Sequence, residues 1–136
     1  MTPLVVPQHL VDHYFPLVAP MLQKAMDRNN ASGWTMPALY RACAMREAYL
    51  FVDSEQPKNA LVGRFEEWGG IPTFYIQFMG GEGGADWPQA MKEIRKFAGV
   101  YGVTRITAHV RDGWLKHFKV RKLSTLCEFI EDQANG

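Results

Sequence analysis

Between Pro7 and Met26 the apolar positions Leu10, Tyr14, Leu17, Val18, Met21 and Ala25 recur at steps of three and four, the spacing of one helix face. Pro7 suits a first helical turn. Pro16 and Pro20 fall inside the pattern and predict a break or kink, because each removes a backbone donor and crowds the turn before it. Asn29-Asn30-Ala31-Ser32-Gly33 reads as a loop, and Thr35 as the N-cap of a second helix with Pro37 in its first turn, reaching about Glu47. The period then changes to two. Ala48-Tyr49-Leu50-Phe51-Val52 reads as a buried strand, Asp53 to Asn59 as a polar loop, and Ala60 to Trp68 as the next strand. Gly69-Gly70 supplies the positive φ angles of a tight hairpin, and Ile71 to Phe78 returns antiparallel.

A glycine-rich turn follows, Gly80-Gly81-Glu82-Gly83-Gly84, and runs straight into a helix capped by Asp86, with Gln89 completing a capping box. That helix is expected to bury Trp87, Ala90, Met91, Ile94, Phe97, Ala98 and Tyr101, to expose Lys92, Glu93, Arg95 and Lys96, and to end at Gly102. Val103 to Val110 reads as a strand with Ile106, Ala108 and Val110 on one side and Arg105, Thr107 and His109 on the other. A turn at Arg111-Asp112-Gly113, a short helix from Trp114 to Val120, a last strand from about Leu123 to Ile130 and a polar tail complete the chain. The pattern predicts an α+β domain with a mixed, mostly antiparallel sheet. Its chemical point of interest is the glycine turn, where bare N–H groups and a helix N-terminus converge as they do around bound phosphates.

Composition narrows the classes. The 136 residues fit a single domain, 1–136, and the 47% hydrophobic and 12% aromatic content belongs to a packed protein rather than a disordered one. A net charge of +1 gives no global field for nucleic acid, so no nucleic-acid partner is expected. Cys43 and Cys127 lack metal-ligand spacing and point to a reduced compartment. No basic segment precedes an apolar run at the start, so no signal peptide is expected, and no apolar run nears the roughly 20 residues that span a bilayer. His9 and His13 share a helical face with Asp12 between them, but no third metal ligand has an obvious position and no metal is expected.

The order of elements, together with Gly80-Gly81, Asp86-Trp87, Gly102 and Arg111-Asp112-Gly113-Trp114, resembles the GNAT family of N-acetyltransferases, and more closely the small GNAT-like proteins of tailed bacteriophages. The resemblance covers most of the chain. It implies an acyl-CoA N-acyltransferase-like fold and, in an enzyme, a turn reading Gln/Arg-x-x-Gly-x-Gly/Ala whose amides hold the coenzyme A pyrophosphate. Met79, Gly80, Gly81, Gly83 and Gly84 are the residues that would form that cradle for acetyl-CoA or CoA. Phe78 stands at the Gln/Arg position in one register; starting from Gln77 instead puts Glu82 at the second small residue. A carboxylate beside a pyrophosphate costs about 1 kcal/mol even in a high dielectric.

Family enzymes also carry a tyrosine on the short helix after the penultimate strand, where this chain has Phe118; His117 is the neighbouring proton donor. Glu66 and Glu67 are the candidate general bases, and strand alternation lets only one face the cleft. Trp34 and Trp68, with the basic Lys116, Lys119, Arg121 and Lys122, are candidate interface residues, since tryptophan and arginine anchor protein contacts. Fold does not assign function, and the departures at Phe78, Glu82 and Phe118 favour a non-enzymatic reading with no bound cofactor. In that reading the chain is a virion-associated structural protein of a phage, located in the virion or the host cytoplasm and acting through self-assembly or contacts with other virion proteins. The alternative is a CoA-dependent N-acyltransferase, and a third class is a small phage regulator that binds a host protein.

Overall fold

A computed structural model describes residues 4–28, 33–82 and 87–108. Along the chain lie β1 (Leu4–Val5), α1 (Val11–Arg28), α2 (Met36–Ala44), β2 (Tyr49–Val52), β3 (Asn59–Trp68), β4 (Ile71–Gly81), α3 (Trp87–Val100) and β5 (Arg105–Ala108). One sheet holds the five strands in sequence order, antiparallel at every junction except the parallel β4–β5 pair. This is the mixed, mostly antiparallel α+β arrangement expected from the pattern. The last expected strand, the short helix before it, and the candidates His117, Lys116, Lys119, Arg121 and Lys122 lie outside the described residues, as do Gly83 and Gly84.

The break expected at Pro16 and Pro20 does not occur. After a 3-10 turn at Gln8–Leu10, α1 runs unbroken from Val11 to Arg28 with both prolines inside it. The prolines are exposed and four residues apart, so they share the solvent face. The carbonyls of Asp12 and Pro16, which lose their helical donors to the pyrrolidine rings, belong to exposed residues. The buried stripe Val11, Phe15, Val18, Leu22 and Met26 continues past them.

Thr35 caps α2 as expected, its Oγ1 accepting from the Ala38 N–H at 3.3 Å. The helix stops at Ala44, short of the expected Glu47, because Arg46 turns the chain with φ +59°. The end of α3 follows expectation: Gly102, at φ +75°, donates to the Gly99 carbonyl and Val103 to the Ala98 carbonyl, a Schellman closure. Tyr101, expected in the core, is 57% exposed because it sits in the closing turn rather than on the buried stripe. β1, two residues long, is too short to leave a periodic signal.

Helices α1 and α2 cover one face of the sheet and bury Leu50, Val52, Ala60, Val62 and Phe78 beneath them. The other face buries Phe51, Leu61, Phe74 and Ile76 against Ile94 and Ala98 of α3, with Phe97 ringed by Tyr49, Phe51, Phe65, Phe74 and Tyr101.

The largest departure concerns β4, which was expected to end at Phe78 and instead continues through Gly81. Gly80 and Gly81 are therefore strand residues paired with Ala60 and Asn59, not members of a turn. A Cβ on Gly80 would stand 2.5 Å from the Met21 carbonyl oxygen of α1, and one on Gly81 would stand 2.5 Å from the Lys58 carbonyl oxygen. Glycine is required at both positions by close approach of the chain to itself.

Two consequences are measurable. Gly80→Ala should lower stability by about 1–3 kcal/mol because α1 backbone must yield. Gly99→Ala, in the interior of α3 with nothing within 4 Å of the added atom, should raise it by about 0.5–1 kcal/mol. Equilibrium denaturation distinguishes the two. Burial pushes the Cys43 thiol up from 9.0 to about 12, with the Arg46 charge opposing in part. The folded chain thus keeps a proton that the unfolded chain releases above pH 9. The associated stability is complete below pH 9 and falls as pH rises toward 12. Iodoacetamide at pH 8 should leave Cys43 unmodified until the protein is unfolded, as peptide mass spectrometry would show.

Candidate functional site

The hairpin at Gly69-Gly70, φ +60° and +84°, sets the register of β3 against β4, with Trp68 opposite Ile71, Glu66 opposite Thr73 and Arg64 opposite Tyr75. On the far side of β4, Thr73 pairs with Arg105 and Tyr75 with Thr107. Alternation places these side chains on one face of the sheet in two rows. One row is Glu66, Thr73 and Arg105; the other is Arg64, Tyr75 and Thr107. It is the face that α1 and α2 cover at its other end, so the apolar positions Ala60, Val62 and Phe78 give way to polar ones as the hairpin is approached. Past Ile76 the pairing skips Gln77, a β-bulge between the Val62 and Gly63 positions of β3.

Contacts within the patch tie its charges to tryptophans. Trp68 Nε1 donates to Glu66 Oε1 at 2.8 Å, and Arg64 Nε lies 3.4 Å from Glu66 Oε2. The guanidinium of Arg64 stands 5.2 Å from the ring centre of Trp34, and that of Arg105 stands 5.7 Å from that of Trp68. The Trp68 and Tyr75 rings are 5.4 Å apart. Burial raises the Tyr75 phenol above its ordinary value, and the Glu66 carboxylate adds to the rise, so the phenol holds its proton at neutral pH. Thr73 is fully buried and donates back to the Ile71 carbonyl at 3.0 Å. Among the described residues three buried side-chain polar atoms lack a hydrogen bond: Arg64 Nε, whose approach to Glu66 is an ion contact of poor hydrogen-bond geometry, Thr107 Oγ1 and Gln77 Oε1.

The candidates separate accordingly. Glu66 belongs to the patch; Glu67 is exposed and points to the α3 side, away from it. Trp34 and Trp68, expected as exposed anchors, are half-buried beneath arginines. Met79 packs with the α3-side core, and Phe78 is buried under α1 and α2. The N–H of Glu82, the residue that departs from the expected small-residue pattern, donates to the Lys58 carbonyl at 2.9 Å. Among the described residues no group of three His, Cys, Asp or Glu side chains is placed to hold a metal, and no helix is long and apolar enough to cross a membrane. Tyr75, Arg64 and Arg105 were missed as site residues. The two-residue hairpin was the signal that could have found the first two, since it fixes which residues of β3 and β4 face each other.

Solved structures share this architecture throughout. A predicted acetyltransferase from Clostridium acetobutylicum, crystallised with acetyl-CoA, superposes with a TM-score of 0.68 at 8% identity, over 98% of each chain. A probable acetyltransferase matches with a TM-score of 0.67 at 10% identity, over 98% of this chain and all of the other. An aminoglycoside acetyltransferase from an uncultured soil metagenomic sample, in complex with sisomicin, matches with a TM-score of 0.66 at 12% identity, over 94% of this chain and 93% of its own. The fold is that of the GNAT acetyltransferases. No protein-family model and no curated protein matches the sequence. Identities this low establish the GNAT fold and leave the chemistry to the residues.

Removing the Glu66 charge removes one of the two causes that raise the Tyr75 phenol. Glu66→Gln should therefore lower the pH at which Tyr75 ionises, without bringing it to the value of free tyrosine. A spectrophotometric titration near 295 nm, compared with Tyr75→Phe to assign the signal, measures the shift.

Proposed function

We propose that the chain is an N-acyltransferase that uses a coenzyme A thioester and accepts a primary amine at the polar end of the sheet. The observation that carries this reading is the placing of Glu66 and Tyr75, a carboxylate and a protonated phenol, on one face of β3 and β4 within a GNAT fold. A carboxylate and a phenol are residue types that serve as general base and general acid. Glu66 is oriented by Trp68 Nε1 and Arg64. It would take the proton from the attacking amine, and Tyr75 would supply one to the departing group.

Among the described residues, a donor fits along the end of β4. Because Glu82 donates to Lys58, alternation along the ladder directs the N–H groups of Met79 and Gly81 away from β3, where a bound chain could meet them. The Glu82 amide is already engaged. When bound, the thioester supplies the activated acyl group.

A second reading keeps the scaffold without the chemistry: a virion-associated phage protein acting through protein contacts. It is favoured by Gly80 and Gly81, whose lack of a side chain is explained by packing against Met21, Lys58 and Asn59, and by Phe78, which is core.

Acetyl-CoA at millimolar concentration should raise the melting temperature, as any ligand selective for the folded state does. With an amine present the protein should release free thiol, and Glu66→Gln or Tyr75→Phe should slow that release roughly 100- to 10,000-fold. Absence of both the thermal shift and the thiol would set the enzymatic reading aside. A ring on sizing, or the chain recovered from purified particles, would then support the scaffold.

A further inference from the structure

Among the described residues, the polar face carries two buried side-chain atoms without a hydrogen-bond partner, Arg64 Nε and Thr107 Oγ1. They flank Tyr75 in one row across three strands. Arg105 stands two residues from Thr107 on the same side of β5, packed over Trp68 and forming no ion pair among the described residues. Glu66 is the carboxylate of the patch, and it already accepts from Trp68 and lies against Arg64. Gln77 Oε1, the remaining unpartnered buried atom, belongs to the bulge beyond both rows. A buried donor without an acceptor is costly to keep, and a guanidinium beside a hydroxyl donor is the arrangement that receives a carboxylate.

Resting on the acyltransferase reading for the amine-binding role of Glu66, we propose that the acceptor is a zwitterion: a primary amine carrying a carboxylate a few bonds away, as in a free amino acid. Glu66 and Arg105 lie on either side of Thr73, at opposite ends of one cross-strand row. Trp68 touches both, its N–H on the carboxylate and its ring face on the guanidinium. The amine is held at Glu66, and the carboxylate is held by Arg105 and Thr107. A polyamine meets two guanidiniums and a single carboxylate there, so charge rejects it.

The test uses the full chain with acetyl-CoA and matched acceptors, amino acids against their α-carboxamides, with spermidine as the polycation. Free thiol release should favour the acids at least tenfold in kcat/KM, and Arg105→Gln should bring that ratio close to one. Equal use of acid and amide, or preference for spermidine, overturns the proposal while leaving the acyltransferase reading intact. Should no amine be acetylated, binding of the same acids is followed by tryptophan fluorescence. Saturable binding of acid but not amide, weakened by Thr107→Val while the melting temperature holds or rises, supports the zwitterion site on a chain that is not an acyltransferase. No binding of either overturns it. Thr107→Val keeps side-chain volume and removes an unpaired hydroxyl, so loss of binding without loss of stability separates a ligand contact from a structural one.

Discussion

The pairing of β3 with β4 is the constraint on which the rest of this molecule depends. It begins at the Gly69-Gly70 hairpin, where two consecutive positive φ angles fix Trp68 against Ile71, and it continues to Asn59 against Gly81 with one residue skipped at Gln77. Period-two alternation then decides which side chains meet which helices. Leu61, Phe74 and Ile76 turn to α3, while Ala60, Val62 and Phe78 turn to α1 and α2. Gln77 compensates for the skipped register, so that both ends of β4 keep their apolar positions inward even though they are out of phase with each other. A slip of one residue would move Glu66 and Arg64 beneath α3 and expose the phenylalanines.

That same pairing gives the polar patch its composition. Core and patch occupy successive stretches of one sheet face, and the boundary between them lies where the helices cease to cover it. Tryptophan is used at the boundary because it serves both sides. Trp68 packs against the Tyr75 ring, donates to Glu66 and offers its face to Arg105. Arg64 and Glu66 lie against each other, and aromatic surface holds both arginines of the face: Trp34 under Arg64 and Trp68 under Arg105.

The fold was largely legible because its strongest signals are local. Thr35 and Pro37 mark the start of α2, Gly102 marks the end of α3, and the doubled glycine marks the hairpin. What was not legible depends on distant atoms. Gly80 looks like turn glycine from its neighbours, and only the Met21 carbonyl of α1 explains why strand backbone needs it there. The prolines of α1 look like breakers until their shared solvent face is known. A bulge at Gln77 has no composition of its own. For the site, Glu66 was legible as a residue type in a strand, and strand alternation separates it from Glu67 once the side of one neighbour is known. Tyr75 and Arg105 were hidden because their roles arise from cross-strand neighbours, which no local residue pattern encodes.

Arg46 has a part beyond ending α2. Held in the left-handed region, it directs its guanidinium to the Val6 carbonyl at 2.9 Å and over the Tyr49 ring. β1 adds only two paired residues to the sheet, a strand too short to hold itself in place. The arginine therefore acts as a clasp on the first segment of the chain, and β1 in turn covers part of the backbone edge of β2. Unclasped, that edge would be a template for a strand from another molecule. Cover of the β2 edge thus draws on a helix-terminating residue lying outside the sheet it protects.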